Sequence, residues 1–308
     1  MNKFIYSILK FFVFTAIIYL LLLIIWTNIF PTAFTKNINY RIGSFGFTYT
    51  RLKEAKETKN IDILFLGSSH TYRGFDTRIF KEAGFKTFNL GSSAQTPIQT
   101  ELLLAKFLDS LKPKIIILEV SPMIFSLDGI ESLLDIISNI DNDYKTIRFA
   151  IQQNHLKVYN TLLYSLYREL IFNEKYKYIE KKTKGVDTYI NGGFVQKKMK
   201  FYKFLDLEKQ QWTFNPKQLE AFKKIITIIA KKKIKVLLVQ PPITKSLYNS
   251  YENTESFDNE MKKYGTYYNY NKILQLNDSL HFYDADHLNQ NGVRVFNNAI
   301  LKMLENKK

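Results

Sequence analysis

Two distant stretches of the chain carry side chains that could perform acyl transfer together. Gly67-Ser68-Ser69 follows the apolar run 61–66, which places two hydroxyls at the carboxyl end of a predicted strand. Far downstream, Asp284 and His287 stand three residues apart in HFYDADHLNQNG. A carboxylate that orients an imidazole, which takes the proton of a serine hydroxyl, is the logic of a nucleophilic triad. The pattern suggests a triad in the order Ser, Asp, His, although a Gly-Ser turn is also ordinary loop chemistry.

The sequence leaves more than one histidine available as the base. His281 lies three residues before Asp284 and is a rival to His287, which precedes a predicted helix that could hold its loop rigid. His70 directly follows the serines, but neighbouring residues on a turn usually point apart. His155 lies in a helical stretch without a partner motif. We find no His-x-x-x-His pattern, acidic cluster or glycine-rich phosphate loop, so the sequence predicts no metal and no cofactor.

The serine block and the Asp-x-x-His block resemble those of the SGNH (GDSL-like) hydrolase superfamily, which pairs an early Gly-Asp-Ser with a late Asp-x-x-His. The resemblance implies that Ser69 is the nucleophile, Asp284 the orienting acid and His287 the base, with Ser68 in place of the family's Asp. It covers about residues 61–308, with a long middle section that carries no family signal. Within the superfamily, the chain most resembles the branch of the membrane-anchored D-alanyl transfer protein and the exported polysaccharide O-acetylation proteins.

The resemblance also implies an oxyanion hole built from Ser69, Gly91 and Ser121. Gly91 follows a predicted second strand, so its backbone N–H should lie at the same sheet edge as Ser69. Many family members carry Gly-x-Asn where this chain has Glu119-Val-Ser121-Pro, so that donor is absent or is replaced by the Ser121 hydroxyl. Loss of such a donor can cost about 2.7–4 kcal/mol in the barrier. We interpret Glu119 as a buried structural carboxylate in preference to a substrate contact.

Alternating strand and helix patterns position these residues. Strands are predicted at 61–66, 86–90, 115–118 and 236–239, and helices at 76–84, 100–111, 216–233 and 293–304. The alternation indicates right-handed parallel units, and the predicted fold is an α/β three-layer sandwich with a central parallel sheet, SGNH-hydrolase or flavodoxin-like.

The domain would cover residues 36–308, with a helical insertion at about 123–233. The insertion would either form a helical cap packed on the sheet or cover the rim of the site, where its aromatic side chains could contact sugars and shield an acyl-enzyme from water. Asn191-Gly-Gly within it marks a tight turn.

The sequence of residues 1–35 predicts an N-terminal membrane anchor. Phe11 to Phe30 is 20 residues long without a charge, and at about 1.5 Å per residue it spans about 30 Å, the thickness of a bilayer core. The residues that follow make a poor signal-peptidase site, which favours an uncleaved transmembrane helix. Basic residues flank both ends and do not fix the orientation. The resemblance implies a domain outside the cytoplasm, tethered to the cell membrane.

The net charge of +16, from 44 basic and 28 acidic residues, favours anionic partners such as lipid headgroups or acidic polymers. Nucleic acid is not predicted, because the lysines are dispersed and no zinc-finger, helix-turn-helix or RNA-binding signature is found. The chain has no cysteine, which excludes disulfides and thiolate metal sites.

Together with the resemblance, these features predict an enzyme that transfers acyl groups to a cell-surface polysaccharide. A membrane-embedded protein that delivers the acyl group would be a further partner. A carbohydrate esterase, or a non-catalytic glycan-binding component of an acylation system, are the alternatives.

Overall fold

The structure, a computed structural model, describes residues 2–203 and 207–305. Its strands are β1 Ile63–Leu66, β2 Thr87–Asn89, β3 Ile115–Glu119, β4 Thr183–Lys184, β5 Asp187–Ile190, β6 Phe194–Lys197, β7 Lys235–Gln240 and β8 Tyr267–Asn269. Its helices are α1 Asn2–Ile29, α2 Thr48–Glu57, α3 Ser69–Gly74, α4 Thr77–Glu82, α5 Pro97–Leu111, α6 Pro122–Ser126, α7 Ile130–Asn139, α8 Tyr144–Gln153, α9 Leu156–Phe172, α10 Glu174–Lys177, α11 Pro216–Lys231, α12 Lys245–Ser250, α13 Thr254–Lys262, α14 Tyr270–Ile273, α15 Asp278–His281 and α16 Gln290–Glu305.

Five strands form one parallel sheet in the order β2-β1-β3-β7-β8. The register pairs Leu66 with Leu118 and Glu119 with Val239, so the carboxyl ends of the three central strands lie along one edge. The order is that of flavodoxin-like doubly wound folds. With helices on both faces of the sheet, the predicted α/β three-layer sandwich is confirmed.

The central strands bury side chains on both faces. In β1, Leu64 and Leu66 face a core shared with α5 and α11, whereas Ile63 and Phe65 face a core shared with α4 and α16. A strand buried on both sides reads as a continuous apolar run instead of an alternating one. Each fully buried side chain of this size contributes about 1.5–3 kcal/mol, so the sheet is a rigid platform for the residues at its edge.

The stretch 123–233 is helical only in part. Helices α7 to α9 pack on α2, α5 and α1, and α11 packs on β7 as part of the sandwich, whereas β4, β5 and β6 form a small antiparallel sheet. The predicted tight turn at Asn191-Gly-Gly joins β5 to β6, with both glycines at positive φ. Gly192 O accepts a hydrogen bond of 2.7 Å from Asn89 N–H, so this turn docks onto the end of β2.

Helix α1 is long and apolar enough to cross a membrane, with a mean hydropathy of 2.8, and it is the one such helix in the part of the chain that the structure describes. Nearly all of its surface is exposed. Leu23 is buried, because it packs against Ile38 and Tyr164 where α1 contacts α9.

Candidate active site

Two glycines shape the turn that follows β1. Gly67 has a φ of 149°, which residues with a side chain rarely adopt, and a Cβ there would overlap Glu119 and Thr71. Gly91 lies against the same turn, where an added Cβ would stand 2.8 Å from Ser68 O. The chain can therefore reverse sharply at the end of β1 and begin α3 at Ser69.

Glu119, at the end of β3, holds this turn in place. Its buried carboxylate accepts hydrogen bonds from Ser68 N–H (2.5 Å), Ser68 Oγ (2.8 Å) and Thr71 Oγ1 (2.8 Å). It also lies 3.3 Å from His70 Nδ1. Burial raises the pKa of Glu119, but its contacts with His70, Ser68 and Thr71 outweigh burial and hold the pKa below its ordinary value. Glu119 is thus a structural carboxylate, the interpretation that the sequence favoured.

Ser69 and His287 meet at the start of α3. Ser69 Oγ lies 2.8 Å from His287 Nε2. On the other side of the ring, His287 Nδ1 lies 3.0 Å from Asp284 Oδ1 and 2.8 Å from Asp286 Oδ1. The structure therefore brings together the three residues predicted as a triad, with one ring nitrogen facing the hydroxyl and the other a carboxylate. Ser68, the neighbouring hydroxyl, faces away toward β3.

The loop that carries His287 is fixed by its own hydrogen bonds. Asp284 Oδ1 accepts the N–H groups of Asp286 (3.1 Å) and His287 (2.8 Å), which closes an Asx turn. Thr244 donates to Ala285 O through its N–H (3.0 Å) and its hydroxyl (2.6 Å). Helix α16 begins directly after this loop. The imidazole is therefore held by the backbone around it as well as by the carboxylates.

Two further residues at the site, His70 and Asp286, were not predicted. The His70 ring stacks on the His287 ring with centroids 5.0 Å apart. Its Nε2 lies 3.9 Å from Asp286 Oδ2, and its Nδ1 faces Glu119. Although neighbouring residues on a turn usually point apart, the start of α3 directs the His70 ring into the site beside His287. Asp-Ala-Asp-His offered two carboxylates, but their spacing alone cannot show that both reach the ring.

The ligand-type atoms of His70, Asp286 and His287 lie within 4.8 Å of one another, which raises the question of a metal site. The two imidazole planes are inclined by only 24°. The side chains also contact one another and Glu119 directly, so we interpret the cluster as a network of ion pairs.

The carboxylates make His287 a strong base. Burial lowers the pKa of His287, but the hydrogen bonds to Asp284 and Asp286 outweigh burial and raise the pKa to about 9. Burial raises the pKa of Asp286, but its hydrogen bond to His287 outweighs burial and leaves the pKa well below the usual range. Burial lowers the pKa of His70, and Glu119 outweighs it so that the net direction is upward. His287 is thus largely protonated at neutral pH.

We expect reaction at Ser69 to accelerate as pH rises toward 9, because only neutral His287 can accept the serine proton. With a pKa of about 9, roughly one ring in a hundred is neutral at pH 7. The variant Asp286→Asn removes one of the two carboxylates that raise the pKa of His287. The rise of the labelling rate with pH should therefore occur at lower pH than in the wild type. The measurement is the rate of fluorophosphonate labelling against pH. Asp109→Asn, on an exposed carboxylate paired with Lys232, is the matched control. An unmoved rise in Asp286→Asn would contradict this role.

A narrow, mostly apolar pocket opens beside the triad. Its polar side consists of His70, Ser121 and Asp286. Gln240 and Thr254 add polar groups, and the remaining walls are aliphatic and aromatic, with Trp212 stacked on Tyr251 at 3.8 Å between ring centroids. Of the described residues in the stretch 123–233, Met123 and Trp212 line this pocket, so the expected cover is not made by helices α7 to α9.

The three predicted oxyanion donors differ in their hydrogen-bond partners. Ser69 N–H is the first of α3, where no intrahelical acceptor exists. Gly91 N–H donates to Asn89 Oδ1 at 3.2 Å, so it is already engaged in this structure. Ser121 borders the pocket, and its hydroxyl lies 3.4 Å from Glu119 Oε1. The oxyanion roles of all three residues remain predictions.

The remaining histidines have structural contacts. His281 Nδ1 accepts a hydrogen bond of 2.9 Å from Asn277 N–H, at the end of α15. His155 caps α9 by accepting from Lys157 N–H. Neither ring is bonded to a serine in the described part of the chain, which leaves His287 as the base facing Ser69.

Comparison with solved structures gives weak similarities. An inferred acylhydrolase from Bacteroides fragilis NCTC 9343 is 10% identical, with a TM-score of 0.42, covering 83% of this chain and 94% of its own. A GDSL-like lipase from Bacteroides thetaiotaomicron VPI-5482 is 11% identical, with a TM-score of 0.44, covering 86% of this chain and 100% of its own.

A gut microbial diltiazem-metabolizing enzyme is 14% identical, with a TM-score of 0.28, over 80% of this chain and 47% of its own. No protein-family profile and no curated protein matches the chain.

Proposed function

We propose that this chain is an SGNH-type serine enzyme that transfers acyl groups through an ester on Ser69. The observation that carries the proposal is the line of contacts from Ser69 Oγ to His287 Nε2 (2.8 Å) and from His287 Nδ1 to Asp284 (3.0 Å). A serine hydroxyl is a weak nucleophile by itself and needs a base within hydrogen-bond reach, which a third group orients. These contacts satisfy that requirement at the sheet edge where such folds bind ligands.

In the proposed mechanism, Ser69 Oγ attacks the carbonyl carbon of an ester as its proton passes to His287 Nε2. The oxyanion that forms would be stabilised by Ser69 N–H, with Gly91 N–H and the Ser121 hydroxyl as further donors. The tetrahedral intermediate collapses when His287 returns the proton to the departing alcohol. An acceptor hydroxyl then attacks the acyl group and gives its proton to His287, and His287 passes this proton to Ser69 Oγ as the bond between Ser69 and the acyl group breaks. Asp284 holds the ring and stabilises its cationic form.

The pocket beside the triad suits a small acyl group. Its apolar walls would cover a short aliphatic chain, whereas its polar side lies next to His70 and Asp286. Pockets with mostly apolar walls and a few placed polar groups are typical of small-ligand sites. We infer an acetyl group or another short acyl group, and no cofactor is needed for this chemistry.

The finer proposal is that the acceptor is a cell-surface polysaccharide and that α1 anchors the domain outside the cytoplasm. The membrane-compatible helix supports the anchor, and the net charge of +16 suits an anionic acceptor. Close to the membrane, the site could receive acyl groups from a membrane-embedded protein. The resemblance to exported transfer proteins supports this proposal. We propose no nucleic-acid partner.

The test is the ester content of surface glycans in cells that naturally make the protein. Wild type, a deletion and a Ser69→Ala strain would be compared. Transfer predicts that both mutants lose esters, because no acyl-enzyme can form. A gain in both mutants would instead identify an esterase. An Ala strain that matches wild type while the deletion differs would indicate a non-catalytic component.

A further inference from the structure

His70 and His287 share one carboxylate. Their rings are stacked with centroids 5.0 Å apart. Asp286 Oδ1 lies 2.8 Å from His287 Nδ1, and Asp286 Oδ2 lies 3.9 Å from His70 Nε2. Asp284, in contrast, contacts the His287 ring, at 3.0 Å from Nδ1. Asp286 therefore faces both imidazoles at once, so a charge on one ring affects the protonation of the other.

The His70 ring is also held from the side of the serine turn. Its Nδ1 lies 3.3 Å from Glu119 Oε1, and the Glu119 carboxylate binds the turn that carries Ser69. Its Nε2 is buried without a hydrogen-bond partner in the described part of the chain, so its contact with Asp286 is electrostatic. Burial lowers the pKa of His70, but Glu119 outweighs burial and the net direction is upward. A carboxylate on each side thus favours the charged form of His70.

Other titratable groups near the two rings are paired or neutral. Arg73 on α3 forms a bidentate ion pair with Asp187 on β5, with distances of 2.9 and 2.8 Å, so their charges offset each other. Tyr251 lines the same pocket as Asp286, and burial raises the pKa of Tyr251 to about 12. This phenol is therefore neutral at physiological pH.

A second phenol and a lysine approach His287 as well. Tyr283 stacks on the His287 ring with centroids 5.4 Å apart, and burial raises the pKa of Tyr283, so it is also neutral. Lys197 Nζ lies 4.5 Å from the centroid of the Tyr283 ring, so its contact is with the phenol. The His70 ring, however, lies directly against the His287 ring. Its charge therefore acts on the base at short range.

We propose that His70 is a positioning residue that ties the serine turn to the loop of His287 and opposes the charging of His287 through its own positive charge. The inference rests on the proposed function, in which neutral His287 accepts the proton of Ser69. Glu119, His70, Asp286 and His287 form a chain of alternating charge that runs from the end of β3 to the base. Because Asp286 attracts both rings, His287 is a weaker base than it would be without His70.

The variant His70→Gln removes the charge and keeps a polar side chain. We expect the pKa of His287 to rise by on the order of one pH unit, because a positive ring at 5.0 Å between centroids is lost from a partly screened site. Fluorophosphonate labelling of Ser69 should therefore slow about tenfold at pH 7 and recover as the pH rises. This shift is opposite in direction to that expected for Asp286→Asn. A purely structural role would slow labelling equally at every pH.

His155→Gln is the matched control, because the His155 ring caps α9. Its labelling profile should coincide with that of the wild type. If His70→Gln labels Ser69 with an unmoved profile, or with a rise at lower pH, the inference is overturned and the proposed function stands. If wild-type Ser69 is not labelled at any pH, the proposed function fails and the inference fails with it.

The charge of His70 can also be measured in the wild type, which keeps the inference testable if His70→Gln does not fold. The chain has four histidines, so nitrogen-15 labelling of histidine gives four ring patterns in long-range proton–nitrogen NMR of the full-length protein in detergent. The variants His155→Gln, His281→Gln and His287→Gln assign the other three patterns. We expect both ring nitrogens of His70 to be protonated at pH 7, and a neutral His70 ring would overturn the inference.

Discussion

The variant Ser69→Ala is expected to lose about 10³- to 10⁶-fold of its turnover of p-nitrophenyl acetate, because it removes the nucleophile that His287 faces. The loss should occur without a change in melting temperature, since Ser69 Oγ is bonded to His287 and has no part in the contacts that Glu119 makes. The measurement is the rate of p-nitrophenol release by the purified full-length protein in detergent.

Ser110→Ala is the matched control for this substitution. Ser110 Oγ donates to Phe107 O within α5 and is partly buried, so the change removes a comparable hydroxyl at a distance from the site. Its turnover should stay within about twofold of wild type. If Ser69→Ala and Ser110→Ala turn over equally, the acyl-enzyme account is wrong.

The second large effect is expected on stability, from Glu119→Gln. The carboxylate accepts from Ser68 and Thr71 and pairs with His70, all of them buried. An amide cannot accept from all of these donors, so buried N–H and O–H groups lose their acceptor. Each buried donor left unpaired costs about 1–3 kcal/mol. We expect the apparent melting temperature to fall by on the order of 10 °C.

Glu101→Gln provides the comparison, because Glu101 is also buried but the Arg148 guanidinium lies 3.7 Å from its carboxylate. Burial raises the pKa of Glu101, so its charged form is disfavoured by its surroundings and an amide should replace it at little cost. The measurement is the melting temperature of both variants by differential scanning fluorimetry. Equal melting temperatures for Glu119→Gln and wild type would show that Glu119 does not hold the turn.

Much of the sheet could be predicted because of how it is buried. Strands β1, β3 and β7 are covered on both faces, so their sequences are short apolar runs that end at Gly, Glu-Val or Gln-Pro. Strand β8, Tyr267–Asn269, is a three-residue edge strand without such a run, and it was missed. The small sheet β4-β5-β6 was also missed, because its strands are short and partly exposed and only the turn between β5 and β6 has a sequence signal.

The predicted triad residues come together because both sequence blocks lie at ends of secondary-structure elements. Gly67 forces the turn before Ser69, and Asp284 closes an Asx turn that presents His287. The roles of Asp286 and His70 depend on side-chain directions that no spacing encodes. Trp212 could not be predicted either, since it reaches the pocket from a segment without periodicity.

The most direct test of the central claim is a mass measurement on the full-length protein after reaction with a fluorophosphonate. The account predicts one adduct, which peptide mapping places on Ser69, and its absence from Ser69→Ala and from His287→Ala. An adduct on Ser68, or equal labelling of the wild type and of Ser69→Ala, would contradict the claim that Ser69 is the nucleophile.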